Sequence, residues 1–163
     1  MSTRRHTLVL AIYPHTRGLA FVVFEGPLSP YDWGLFEARG NDKNADCIER
    51  VRRLLERYRP DVLVLQRMGK SGTRRGARVE ALNEEMLTLA VQLKIRCVAF
   101  SREEVQQTFN YLGTVNKQIV AETLARHIPA LEQYLPPPRK LWRAEDPRLS
   151  LFEAAALVWK FFQ

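Results

Sequence analysis

Cysteine is nearly absent from this chain. Cys47 and Cys97 are the only 2 among 163 residues, and neither belongs to a Cys-x-x-Cys or Cys/His cluster. A disulfide framework and a thiolate zinc site are thereby excluded, and two buried thiols in a reducing cytosol are expected. The histidines, His6, His15 and His127, show no ligand spacing, so no metal role is assigned to them. Long apolar runs are missing as well. Leu8 to Ile12 is far shorter than the ~20 residues a bilayer requires, and no small-residue cleavage site follows it. The expectation is a cytoplasmic protein without a membrane contact. Glycine is sparse, and Gly69, Gly72 and Gly76 match neither a Walker loop nor a dinucleotide-binding turn.

What is present is the composition of a folded domain. Hydrophobic residues make up 46% and charged residues 26%, with both signs interspersed. The chain has the length of one domain, residues 1–163, and can bury a core without staples. Lys and Arg number 25 against 18 Asp and Glu, a net charge of +7. The resulting pI of about 9.8 makes a polyanion a fitting partner, because basic surface gains affinity by releasing phosphate counterions.

The patterning opens with strands. Residues 7–13 and 19–25 are β-rich and joined by His15-Thr16-Arg17-Gly18, which reads as a hairpin with Gly18 supplying the tight turn. A third strand is predicted over Trp33 to Ala38, after Pro27, Ser29 and Pro30. The period then becomes helical through Cys47, Ile48, Val51, Leu54, Leu55 and Tyr58, with Asn41 or Asp42 as N-cap and Pro60 as the stop. Val62 to Leu65 is continuous and apolar, as a strand covered on both faces should be. A helix stripe of Val79, Leu82, Met86, Leu89 and Leu93 and a strand over Ile95 to Phe100 follow. Ser101 and Glu104 form a capping box. Another helix is expected from about Asn116 to His127, with Ile119, Val120 and Leu124 inward. Pro136 to Pro138 force an extended link, and the last helix should be capped by Asp146, begin at Pro147 and bury Phe152, Ala155, Ala156, Trp159 and Phe162.

Antiparallel strands followed by alternating helices and parallel strands is the element order of an α/β ribonuclease H-like fold, a mixed five-stranded sheet flanked by helices. Local motifs sharpen this. The opening Leu8-Val-Leu-Ala-Ile-Tyr13-Pro14 resembles the first strand of RuvC-type Holliday-junction resolvases, which ends in Asp-Pro-Gly. Val64-Leu65-Gln66 resembles their second motif, which ends in Glu. Gly113-Thr-Val-Asn-Lys117-Gln118-Ile-Val120 is similar to their Gly-x-Gly-x-Ala-Asp-Lys-x-x-Val segment, and Ser150-Leu-Phe-Glu153 to the acidic start of their final helix.

The resemblance implies the fold but not the usual chemistry. Nucleases of that family hold two Mg²⁺ ions about 3.5–4 Å apart with carboxylates, and Mg²⁺ prefers hard anionic oxygens. Here the matching positions are Tyr13, a phenol neutral at pH 7, Gln66, Ser150 and Glu153, of which Glu153 alone is acidic. No catalytic residue, metal ligand or cofactor is therefore expected, Mg²⁺ entering only if residual nuclease activity survives through Glu153, Asp146 and Gln66. Ser150 and Glu153 also have a capping-box reading, weighed equally with a relic ligand. Between Arg67 and Val79 lie Arg67, Lys70, Arg74, Arg75 and Arg78, without an acid and with three glycines. That is a flexible cationic loop at the strand edge where open sheets bind ligands, and with Lys117 it is the expected nucleic-acid contact. Three functions follow: an inactive domain binding branched or duplex nucleic acid; an interaction or homodimerisation module using Trp142, Trp159, Phe161 and Phe162; and a junction endonuclease with an altered acidic site.

Overall fold

Strand β1 (Val9–His15) explains the layering of the molecule, because successive side chains on a strand point to opposite faces. Val9 and Ala11 enter one hydrophobic core and Tyr13 packs against it, while Leu10 and Ile12 enter the other. A computed structural model describes residues 7–67, 72–140 and 142–163. Its sheet has the order β3-β2-β1-β4-β5, comprising β2 (Gly18–Phe24), β3 (Pro30–Glu37), β4 (Val62–Arg67) and β5 (Arg96–Ser101). β1 pairs antiparallel with β2 and parallel with β4, and β4 pairs parallel with β5. This is the mixed five-stranded sheet expected from the sequence.

Helices α1 (Lys43–Tyr58) and α2 (Arg74–Gln92) are the first pair in the chain. Cys47, Val51 and Leu55 of α1 and Leu82 and Met86 of α2 pack on the Leu10 and Ile12 face. The opposite face receives the short α3 (Arg102–Gln107), α4 (Lys117–His127) and α5 (Leu149–Phe161). Asp42 caps α1 by accepting from the Ala45 amide, and Ser101 and Glu104 form the expected capping box. In α4, Val120 and Leu124 are buried and Ile119 is half-buried. Among the described residues no helix is long and apolar enough to cross a membrane.

Several expectations need correction. β3 begins at Pro30 rather than Trp33. Proline is tolerated at the first residue of a strand because that position need not donate to the ladder. Cys97 is half-buried, whereas Cys47 is enclosed. Asp146 does not cap the last helix: α5 starts at Leu149 with Arg148 as a cap that offers no side-chain bond. The Asp146 carboxylate instead accepts from the Arg148 amide at 2.9 Å and is gripped by the Arg148 guanidinium at 2.7 Å. Ser150 therefore lies inside the helix, and its capping box with Glu153 does not form. The cationic loop is also shorter than expected, since Thr73 caps α2 and the chain is helical from Arg74.

Gly18 owes its identity to more than the turn. A Cβ there would stand 2.0 Å from the Phe36 carbonyl oxygen of β3, so the two backbones approach too closely for any side chain. Gly18→Ala should lower stability by about 1–3 kcal/mol or more, read as a reduced urea midpoint. Gly26→Ala is not an equivalent control, as its φ of 123° introduces strain of its own.

Candidate nucleic-acid interface

Parallel register brings the first two motif residues together. Ile12 lies opposite Leu65 in the last pair of the β1–β4 ladder, so Tyr13 and Gln66 follow one residue further, near the C-terminal ends of both strands. Period-2 alternation turns both toward the α5 side, since Val62 and Val64 of β4 join Val9 and Ala11 in that core. Asn83 of α2 donates its side-chain N–H to the Gln66 carbonyl at 3.1 Å and fixes the end of β4. α5 is buried on nearly every side from Leu149 to Val158, with Glu153 the one half-buried position in that run.

The three residues converge around Lys117. Tyr13, Gln66, Arg67, Arg102 and Lys117 border one cleft, of about 330 Å³. Gln66, Arg102, Lys117 and Glu153 border the adjoining recess. On the other flank, Tyr13, Lys117, Arg17, Arg139, Asp146 and Ser150 line a second cleft of about 420 Å³. Asn116 caps α4 by accepting from the Ile119 amide, which seats Lys117 at the first helical position. Its ammonium donates to Glu145 Oε1 at 2.9 Å and lies 5.9 Å from the Tyr13 ring centroid.

Electrostatics make this a self-neutralised site. Burial raises the Tyr13 pKa, aided by Glu153 and opposed by Lys117, so the group is a neutral phenol at pH 7. Burial also raises the Glu153 pKa against the lowering effect of Lys117 and Arg102. Burial works against the charge of Lys117, but Tyr13, Glu145 and Glu153 outweigh it and hold the pKa above the ordinary lysine value. Lys117 is thus a fixed cation among oxygens.

The donor set does not fit a pair of Mg²⁺ ions. At the four matched positions it offers a phenol, an amide, a hydroxyl on Ser150 that is only 5% exposed and one carboxylate, with the Lys117 ammonium among them already paired to Glu145. Asp146 is committed to Arg148, whose hydrogen bonds lower its pKa. Among the described residues no group of three His, Cys, Asp or Glu is placed to hold a metal ion.

The basic residues divide by role. Arg67 donates to the Ala99 carbonyl at 3.1 Å and lies 3.6 Å from Glu104. Arg78 donates to the carbonyls of His15 at 3.3 Å and Thr16 at 3.5 Å and bonds Asn44, clamping the β1–β2 turn to α1. Arg74 is exposed at the start of α2. Lys70 and the Arg75 side chain lie outside the described residues. Sequence reasoning missed Glu145, Arg102, Arg17 and Arg139. No spacing marks them, because turns, loops and the start of α3 from separate parts of the chain carry them to the cleft. Of the aromatics expected to form an apolar patch near the C-terminus, Trp159, Phe161 and Phe162 are half-buried, with Trp159 stacked on Phe109 and Phe161 edge to face with Phe162, while Trp142 is exposed.

Fold comparison places the chain in a class. No protein-family model matches the sequence, and no curated protein matches it. Solved structures do share its architecture, and the fold is RuvC-like. RuvC of T. thermophilus in complex with a Holliday junction substrate superposes with a TM-score of 0.66 at 18% identity, over 95% of this chain and 92% of that one. A second Thermus thermophilus RuvC structure gives 0.65 at 18% identity, over 94% and 92%. The yeast mitochondrial Holliday junction resolvase Ydc2 gives 0.64 at 16% identity, over 99% and 82%.

A linkage prediction follows from Glu153. With its folded-state pKa raised, the native state holds the proton longer than the unfolded chain, so stability falls as pH rises from the ordinary glutamate range through the folded value. Glu153→Gln removes that loss. Urea titrations should show the variant more stable than wild type at pH 7, with the difference shrinking toward pH 4. An advantage that persisted undiminished into acid would contradict the assignment.

Proposed function

We propose that this chain is a RuvC-like domain that binds branched or duplex DNA and does not cleave it by the two-metal route. The carrying observation is the Lys117 ammonium, ion-paired to Glu145 at 2.9 Å and set beside Tyr13 and Glu153. The resemblance implies clustered carboxylates and divalent metal at these positions. Tyr13, Gln66 and Ser150 stand there instead, and the half-buried Lys117, which matches the lysine of the same family segment, is the permanent positive charge beside them. Such a group can attract a phosphate but cannot generate a metal-bound nucleophile.

The surroundings support a phosphodiester ligand. Arg17, Arg102 and Arg139 border the clefts on either side of Lys117, and Arg74 stands exposed beyond the end of β4. Arg67, Arg102 and Lys117 outnumber Glu103 in one cleft, and Arg17, Lys117 and Arg139 outnumber Glu145 and Asp146 in the other; a cationic excess of this kind accumulates polyanions and releases their counterions on contact. The net charge of +7 acts in the same direction. Further support comes from the fold, which is shared with a RuvC solved on a Holliday junction substrate.

Fluorescence anisotropy with a labelled four-way junction tests this. Binding should persist in EDTA without any requirement for Mg²⁺, and log K should fall linearly with log salt. Charge reversal at Arg74 and Arg75 together should weaken binding at least about tenfold, since each lost phosphate contact flattens the salt dependence. No cleavage should accompany binding in Mg²⁺ or Mn²⁺. Absence of any DNA affinity at low ionic strength would refute the reading, and so would metal-dependent junction cleavage that disappears in Glu153→Ala.

A further inference from the structure

A carboxylate stands where the cleft most invites an anion. Glu145 Oε1 accepts from the Lys117 ammonium at 2.9 Å, with the lysine side chain 29% and the glutamate side chain 43% exposed. Glu145 lies outside any helix or strand, in the connection from Pro136 to α5. That connection is tied down on either side of it. Gln118, next to Lys117 on α4, donates to the Pro136 carbonyl at 3.1 Å, and the Asp146 carboxylate is held by Arg148. Between those ties, Lys117 draws Glu145 against the first turn of α4. Arg17 and Arg139 line the same cleft with exposed side chains, and neither takes part in an ion pair among the described residues. With Asp146 committed to Arg148, the cleft presents two open cations and a third that a resident carboxylate already occupies.

We infer that Glu145 holds the phosphate position of Lys117 in the free protein and thereby sets which anions the cleft accepts. This rests on the DNA-binding reading above and assigns the residue that governs its selectivity. A phosphate reaching Lys117 must displace the carboxylate, so the contact exchanges one ion pair for another and adds little net attraction. An isolated phosphate has few other contacts to offset that exchange. A polyanion engages Arg17 and Arg139 at the same time, and the counterions released there favour the bound state. The exchange also leaves a signature in the salt dependence. A phosphate neutralised by an open cation releases a condensed counterion. One neutralised by Lys117 does the same, but the displaced Glu145 carboxylate takes up a cation from solution in return, so this contact adds almost nothing to the slope. Simple pinning of the connection to α4 would leave no such signature. A pair this open to solvent contributes little to stability, so what it does at the cleft is to exclude other anions.

The test compares wild type with Glu145→Gln, as full chains, in anisotropy titrations against a labelled four-way junction over a range of NaCl concentrations. Glutamine keeps a hydrogen-bond acceptor for Lys117 and removes the charge. Junction affinity at low salt should rise about fivefold, the upper end of what an exposed ion pair contributes. Log K should fall with log salt more steeply by about 0.9, the share of one phosphate contact. Inorganic pyrophosphate, titrated by calorimetry at constant ionic strength, should bind the variant at least about threefold more tightly than wild type. In a Lys117→Met background the same substitution should leave the salt slope unchanged, since no ammonium remains to be freed. Thermal melts of Glu145→Gln should match wild type. If wild type binds the junction and Glu145→Gln shows the same affinity and slope, the role of Glu145 is overturned and the DNA-binding reading stands. A slope that steepens equally in the Lys117→Met background would trace the effect to bulk charge and overturn the inference. Tighter junction binding with unchanged pyrophosphate binding would refute the selectivity. Absence of junction binding by wild type and Glu145→Gln alike would remove both readings together.

Discussion

The pairing of β1 with β4 is the constraint on which the rest of the molecule depends. β1 is hydrogen-bonded on both sides and carries core on both faces, so its register fixes every element packed on it. A slip of one residue would exchange the two faces, sending Tyr13 toward α1 and α2 and away from α5. The parallel partner repeats the same alternation. Tyr13 and Gln66 therefore arrive side by side at the C-terminal edge because Ile12 and Leu65 are matched four residues into a shared ladder.

Against that frame, α5 is held as a nearly wholly buried helix, with Phe152 and Leu157 almost completely enclosed. A helix buried in this way has little freedom to rotate, because a turn about its axis would expose apolar surface at about 25 cal/mol per Å². Glu153 is thus kept half-buried at the recess. The energetic consequence is a carboxylate that burial makes reluctant to ionise, opposed by the positive charge of Lys117 and Arg102. Lys117 in turn satisfies Glu145, so the cleft balances its own charge from three separate stretches of chain. A site already neutralised this way has electrostatics unlike those of a divalent metal centre, whose excess negative charge is matched by the ion.

Much of the architecture could be read without coordinates. The β-rich run over residues 7–13, the helical stripe from Cys47 to Tyr58, and the Ser101 to Glu104 box all signal their elements through contacts within a few residues, and each formed as expected. The start of the last helix was misread because Asp146-Pro147 has the chemistry of a cap. Arg148, two residues on, competes for the same carboxylate and holds it in a turn ahead of the helix. Likewise, the three glycines after Arg67 suggested a loop reaching to Val79, whereas Thr73 supplies a cap that starts α2 earlier. Local signals of similar strength conflict at both places, and the packed structure decides between them.

The sequence by itself determined the order of elements, the basic balance, and the presence of tyrosine, glutamine and serine where the resemblance implies acids. Each of these depends on residue identity and short-range periodicity. Only the tertiary structure decided that Glu145 pairs with Lys117, that Arg78 braces a turn while Arg74 stays exposed, and that Trp142 alone of the C-terminal aromatics faces solvent. Those outcomes turn on distances between segments far apart in the chain, and ion pairing and burial are set by such distances rather than by sequence spacing.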